Sequence, residues 1–184
     1  MVAPSPQTIL LVDGYNVIGA WPKLQRKKEK EGLEEARQAL IESLTSYSAF
    51  HGCPTTIVFD AHYQQRMSAK TQITDEVEIH FTDAGQTADS YIEFFCAQSR
   101  HTINEFRRII VATSDRDQYL TVMGYGAEWM SSNQLIRNIQ MTLGKIRDRT
   151  KKPKKSSRQL LSSVIDPESK RKLERLRFGL DPEI

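Results

Sequence analysis

Thr8-Ile9-Leu10-Leu11-Val12-Asp13-Gly14 is an unbroken apolar run closed by a carboxylate and a glycine. A run this short, apolar at successive positions rather than at alternate ones, is the pattern of a strand buried on both faces. Gly14 then allows a sharp turn. The pattern returns at Thr55–Phe59, which ends at Asp60, and at Ile109–Thr113, which is followed by Ser114 and Asp115. Helical segments separate these runs. Glu31–Phe50 carries Leu33, Ala36, Leu40 and Leu44 on one face, and His51-Gly52-Cys53-Pro54 stops it with a glycine cap and a proline. Thr87–His101 reads as a helix with Tyr91, Phe94 and Phe95 near one face and Asp83 or Thr87 as its cap. Asp115–Met123 ends at Gly124, and Ser131–Ile146 is a serine-capped helix facing inward with Leu135, Ile136, Ile139 and Leu143. Val77–Thr82 alternates apolar and polar residues, as a strand exposed on one face does, and Ala127–Met130 is short enough for a last strand. Ala61–Glu76 is polar and without period, so it reads as a loop. This alternation predicts an α/β fold with a mainly parallel central sheet and helices on both faces.

The composition, 39% hydrophobic and 27% charged over 184 residues, is that of a globular protein with one domain and room for an appendage. No apolar run approaches the roughly 20 residues of a membrane span, so no membrane partner is expected. Two cysteines, Cys53 and Cys96, suggest neither a disulfide framework nor a zinc site, and a reducing cytoplasm is the expected location. The four scattered histidines read as surface or loop residues. The net charge of +3 conceals an asymmetry. Residues 1–144 hold 13 basic and 17 acidic side chains, a net of −4, whereas residues 145–184 hold 13 basic and 6 acidic, a net of +7. A basic end on an acidic body points to a polyanionic partner. The run Lys145–Arg158, interrupted by Pro153, reads as solvated, and Asp166-Pro167-Glu168 starts a short final helix reaching Arg177.

Asp13, Asp89 and Asp115 all fall where strand gives way to loop or helix. In an open parallel sheet, ligands bind outside the carboxyl ends of the strands. Each aspartate has an ordinary reading as a turn residue, a first-turn helix charge or a cap, and Asp60 as a strand terminator. Their coincidence at one edge is what points to a metal site. Oxygen ligands favour Mg²⁺ or Mn²⁺ over zinc, and such ions activate water and stabilise phosphate charge. Asn16 lies close enough in sequence to reach the same crevice, Glu93 shares a helix face with Asp89, and Asp117 follows Asp115. No Gly-rich phosphate loop and no Ser–His or Cys–His nucleophile pattern is present.

ILLVDGYNVIGAWP (9–22), the Ala36-Arg37 helix, IVFDA (57–61), QTADSYIE (86–93), VATSDRDQ (111–118) and GAEWMS (126–131) together resemble the YacP-like NYN-domain proteins, a branch of the PIN-like nucleases. The resemblance covers about residues 8 to 145, and LRFGLDP (176–182) is similar to the ending of cyanobacterial and plastid-type members. It implies a Rossmann-like PIN/NYN fold over residues 1–146, with 147–184 as a basic C-terminal extension. It also implies metal-dependent endoribonuclease activity on single-stranded RNA. Some relatives are ribosome-associated and cut mRNA, so RNA and the ribosome are the expected partners. Carried over by motif, Asp13, Asn16, Asp89 and Asp115 are the expected acidic site, with Asp60, Glu93 and Asp117 behind it and Gln118 and Met130 structural.

Phosphate contacts are assigned to Arg37, Arg66, Lys70 and Arg116 beside the crevice and to Lys151, Lys152, Lys154 and Lys155 in the basic run, with a surface position or a pairing with Glu34 or Glu42 the competing reading for Arg37. Tyr15, Trp21 and Tyr63 are candidates for stacking bases, with core packing the competing reading for Tyr15 and Trp21. Two other readings use the same fold: a non-catalytic RNA- or ribosome-binding adaptor, and a phosphatase for small esters. A pure binder gains nothing from clustered negative charge near phosphate. A small substrate needs no extended basic surface.

Overall fold

The computed structural model describes residues 7–60, 69–101 and 107–151. β1 (Gln7–Asp13) lies inside the sheet, in parallel between β2 (Thr55–Phe59) and β5 (Arg107–Ala112). β4 (Val77–Phe81) extends the sheet beyond β2 and β6 (Glu128–Met130) beyond β5, both in parallel. β3 (Ala69–Thr74) runs antiparallel on β4, giving the order β3-β4-β2-β1-β5-β6.

Successive side chains of the inner strands point to opposite layers, and both layers are apolar. Leu10, Val12, Ile57, Phe59, Val77, Ile79 and Ala112 form one core with residues of α1 (Gly14–Ala20), α2 (Pro22–Glu31), α3 (Leu33–His51) and α6 (Ser132–Lys151). Leu11, Val58, Ile109 and Val111 form the other with α4 (Ala88–Ser99) and α5 (Arg116–Gly124). Full burial of each such side chain contributes roughly 1.5–3 kcal/mol before conformational entropy is charged against it. This two-sided demand explains the unbroken apolar runs. The described fold is that of the first of two units, Met1–Lys145; only the end of α6 belongs to the second, Ile146–Ile184.

Several local expectations are corrected. Residues 69–74, expected in a loop, form β3: an antiparallel edge strand needs no apolar run, and AKTQIT has none. α2 carries a single buried residue, Leu24, so it has no apolar stripe to read; Pro22 at its start and the Lys27–Glu31 pair support it instead. Gly32, at φ +101°, separates it from α3, which therefore begins at Leu33 rather than Glu31. On α4 the buried face is Ala88, Ile92 and Cys96, while Phe94 is 57% exposed. The second face of β4 is covered, because Tyr91 stacks on His80 with ring centroids 4.0 Å apart. His80 is accordingly buried, not a surface histidine. α6 continues through Lys145 to Lys151, two residues short of Pro153, whose ring disfavours helix in the residue before it. The expected short helix from Asp166 lies outside the described residues.

Gly52 caps α3 in the left-handed conformation, as its place in the sequence predicts. Cys53 and Cys96 are free and buried, one in each core. Among the described residues no helix is long and apolar enough to cross a membrane.

Candidate active site

Three neighbouring parallel strands, β2, β1 and β5, each deliver a carboxylate at the same edge of the sheet. Asp60 follows β2, Asp13 ends β1, and Asp115 follows β5 after Thr113 and Ser114. Adjacent strands are about 4.8 Å apart, so the three carboxylates form a row. Asp89 joins them from the first turn of α4, and Glu93 lies one turn further along the same helix.

Each acid of the row is held by backbone N–H groups. Asp13 caps α1 and accepts from the Asn16 amide at 3.0 Å. Asp60 accepts from the Ala88 amide, which ties the end of β2 to the start of α4. Asp115 caps α5, accepting from the amides of Asp117 at 2.8 Å and Gln118 at 3.2 Å, while its own amide donates to Thr113 Oγ1 at 3.0 Å. Among the described residues, none of Asp13, Asp60, Asp89, Glu93 and Asp115 forms a salt bridge.

These charges act on one another. Burial, reinforced by Asp89 and Asp60, pushes the Asp13 carboxyl up to about 7, against the opposing bonds from the Asn16 and Tyr15 backbone. Burial also raises Asp89, with Asp115, Asp60 and Glu93 adding to it. Asp60 thus acts on both Asp13 and Asp89, Asp89 acts on Asp13, and Asp115 and Glu93 act on Asp89. Asp117 is exposed on α5 and is not among the groups that raise either aspartate.

Asn16 supports the row. Its Oδ1 accepts from the Ser114 amide at 2.9 Å and from Ser132 Oγ at 2.8 Å, linking α1 to the β5–α5 turn and the start of α6. Nothing in the sequence marks Ser114 or Ser132 for this role: Ser114 gives only its backbone amide, and Ser131-Ser132 signals a cap without saying what the second hydroxyl meets. Ser131 is the cap, bonded to the Gln134 amide. Gly14 is also read differently in the structure. It is the first residue of α1, and a Cβ there would run into the Phe59 ring, so close approach rather than a turn requires glycine.

The expected RNA contacts divide. Arg37 is corrected: it is only 4% exposed, donates to Tyr15 Oη at 2.9 Å, pairs with Glu34, and lies 5.6 Å from the Phe81 ring centre. It braces α3 against α1 and β4. Trp21, 3% exposed, is core, and Tyr15 packs on Phe59 at 5.1 Å. Lys70 is exposed on β3, with Glu78 at 3.7 Å and the Tyr91 ring centre at 5.9 Å. Arg116 is exposed on the first turn of α5, next to Asp115. Tyr63, Arg66, Lys152, Lys154 and Lys155, and the Lys151 side chain, lie outside the described residues.

Among the described residues no three His, Cys, Asp or Glu side chains already stand as a metal-ligand set. The acids gather at one edge, and they are all oxygen donors. A cavity of about 480 Å³ bordered by Tyr15, Ile18, Gln25, Lys28 and Leu33 contains none of them.

A model of the YacP-like NYN domain matches residues 10–178 of the chain. The uncharacterized protein YacP of Bacillus subtilis (strain 168) is 40% identical over 144 residues, which cover 78% of this chain and 82% of that protein. A crystal structure of Rae1 (YacP) from Bacillus subtilis superposes with a TM-score of 0.67 at 35% identity, covering 93% of this chain and 95% of that one. A crystal structure of a tryptophan-to-leucine mutant of that same protein gives 0.64 at 35% identity, over 84% of this chain and 91% of that one.

Proposed function

Because this chain belongs to the YacP-like NYN domain family, we propose that it is a metal-dependent endoribonuclease that hydrolyses phosphodiester bonds in single-stranded RNA, with mRNA on the ribosome as the candidate substrate. The observation that carries this reading is the row of carboxylates at the ends of three adjacent strands, without cationic partners among the described residues and with Asp13 pushed up to about 7. Buried like charges destabilise a fold unless something positive offsets them.

A hard divalent cation fits a donor set made only of oxygens, and Asp13, Asp89 and Asp115 are the residues that would hold Mg²⁺ or Mn²⁺, with Asp60 and Glu93 behind them. When bound, such an ion supplies Lewis acidity, activating water and offsetting charge on the phosphate. The protein's own part is positional. Asn16 fixes the β5–α5 turn relative to α1, and so fixes Asp115 relative to Asp13. The Asp60 bond to the Ala88 amide sets the start of α4, from which Asp89 projects. Arg116 and Lys70 supply positive charge for the backbone of an incoming strand. None of the acids lines the cavity bordered by Tyr15, Ile18 and Leu33, and an extended basic run serves a polymer better than a small ester.

The test is incubation of the purified protein with labelled single-stranded RNAs in Mg²⁺, Mn²⁺, Zn²⁺ or EDTA, with and without ribosomes. Cleavage in Mg²⁺ or Mn²⁺ that EDTA abolishes is expected. Full activity in EDTA, or activity with zinc alone, would overturn the metal assignment; binding without cleavage in any condition would leave an RNA adaptor.

A further inference from the structure

Trp129 is an exposed aromatic beside the acidic row, and nothing in the proposed chemistry uses it. It lies on the edge strand β6, is 41% exposed, and is one of two tryptophans; the other, Trp21, is buried. Its ring is held rather than loose. Nε1 donates to the Thr113 carbonyl at 2.9 Å, and Tyr119 meets it edge-on with centroids 5.0 Å apart. Thr113 is also the residue whose hydroxyl receives the Asp115 amide, and whose own amide donates to the Met130 carbonyl at 3.1 Å. One residue therefore anchors both the Trp129 indole and the Asp115 cap. Because the polar atom of the indole is satisfied, what the ring leaves exposed is aromatic hydrocarbon.

The chemistry around the ring is that of a nucleotide. Arg116 and Tyr119 are three residues apart on α5 and so share a side of the helix, and Tyr119 is the residue against Trp129. Arg116 is exposed at the helix start, beside Asp115. A cation and an aromatic face side by side match a phosphate and its base. Leu120 and Met123 extend an exposed apolar stripe along the same face of α5, but the Arg116 cation and the acids at the helix start favour a nucleotide over a purely apolar helix or sheet partner.

We infer that Trp129 is the stacking platform for one RNA base close to the scissile phosphate, with Tyr119 setting the ring and Arg116 taking the flanking phosphate. This rests on the endoribonuclease reading and adds a positioning residue to it. Stacking on a π-face tolerates every base, so the site recognises an unpaired nucleotide rather than a sequence. A base locked in a duplex cannot reach the ring.

The test uses the full-length Asp13→Asn protein in EDTA, so that RNA is bound and not cut. It is titrated with labelled ribo-oligomers of uridine or adenosine and with an abasic strand of equal length and charge. Label anisotropy reads binding. Tryptophan emission reads Trp129, because Trp21 is enclosed in the core. The bases should quench the emission and the abasic strand should not. Adding Trp129→Leu should weaken oligoadenosine binding about tenfold or more. Trp129→Phe should retain most of it, and abasic binding should be unchanged in both. Equal binding of based and abasic strands with unaltered emission would overturn the stacking role and leave the nuclease reading standing. Absence of binding to any strand would overturn both. The emission measurement needs no substitution at Trp129, so it decides even if Trp129→Leu fails to fold.

Discussion

Glu128 and Asp13 belong to the same sheet but stand at opposite ends of its strands, and they titrate in opposite directions. Glu128 begins β6, and Arg108 near the start of β5 grips it with two bonds, the longer at 2.7 Å, which lowers its carboxyl below the ordinary value. Asp13 ends β1, is buried, faces Asp89 and Asp60, and is pushed up to about 7. At the first end a carboxylate has a cation and contributes a little stability. At the second end carboxylates are gathered, and among the described residues only backbone amides are seen to bond Asp13, Asp60 and Asp115. A chain selected only for stability would not gather acids around a buried Asp13, and this is the contrast that the proposed metal site would explain.

The comparison breaks most directly at Asp13 and Asp115. Asparagine keeps the shape and the capping ability of either residue and removes the charge. We expect Asp13→Asn and Asp115→Asn each to lower RNA cleavage by about a hundredfold or more, measured as kcat/KM on labelled RNA, with an unchanged circular dichroism spectrum. Undiminished cleavage in both variants would remove the carboxylate row from the chemistry.

Stability should move the other way. The folded-state carboxyl of Asp13 is raised to about 7, so the folded protein holds a proton that the unfolded chain releases near pH 4. In EDTA, this group therefore makes unfolding easier as pH rises from about 4 to 7, and the penalty is complete above that range. Asp13→Asn should be more stable than the parent at pH 8, by on the order of 2–4 kcal/mol, and no more stable at pH 4. Chemical denaturation at both pH values checks the sign.

Much of this fold is legible because β1, β2 and β5 are buried on both faces: only an unbroken apolar run can fill such positions, and each run is visible. The acids that follow those runs are legible for the same reason, since the ends of the strands mark where the crevice lies. β3 and α2 are not legible, because an edge strand and a helix with Leu24 as its single buried residue leave almost no apolar signature. As an RNA contact Arg37 is misread because a basic residue on an amphipathic helix is ordinarily solvated; its pairing with Glu34, three residues before it, is local and legible, but only the tertiary positions of Tyr15 and Phe81 reveal that it is enclosed. The joint role of Asn16 and Ser132, 116 residues apart, is likewise a product of packing.

A smaller effect belongs to the basic run, which in the proposed function adds cations for RNA to those of Arg116 and Lys70. Replacing Lys151, Lys152, Lys154 and Lys155 with glutamine should weaken RNA binding alike across sequences. If all four contact phosphates, the slope of log K against log salt should flatten by up to about 3. Cleavage at saturating RNA should change little. An unchanged salt slope would confine the RNA path to Arg116, Lys70 and their neighbours.

Gly14 tests the structural seat of the acidic edge. Alanine there meets the Phe59 ring, whereas alanine at Gly19, on the same helix, meets nothing within 4 Å. Gly14→Ala should cost about 1–3 kcal/mol and disturb Asp13 directly, lowering cleavage as well. Gly19→Ala should be neutral or stabilising by up to about 1 kcal/mol. Equal thermal stability of the two variants would show that Phe59 can yield and that Gly14 is not set by close approach.

The smallest effect is expected at the opposite end, at Glu128→Gln, and it should carry the opposite sign to Asp13→Asn. Glu128 and Arg108 are each about half exposed, so solvent screening leaves their pair worth no more than about 0.5 kcal/mol despite its two bonds. The folded-state carboxyl is lowered, which means its contribution is present above the ordinary glutamate range and is lost as pH falls through the folded value. Glu128→Gln should therefore destabilise slightly at pH 8 and low salt. The difference should vanish in high salt, where exposed pairs are screened, and also below pH 4. Cleavage should be untouched, since the pair sits at the amino end of the strands. A loss of cleavage comparable to that of Asp13→Asn would mean that the two ends of the sheet are coupled, and charge at the amino end would then have to be counted as part of the site.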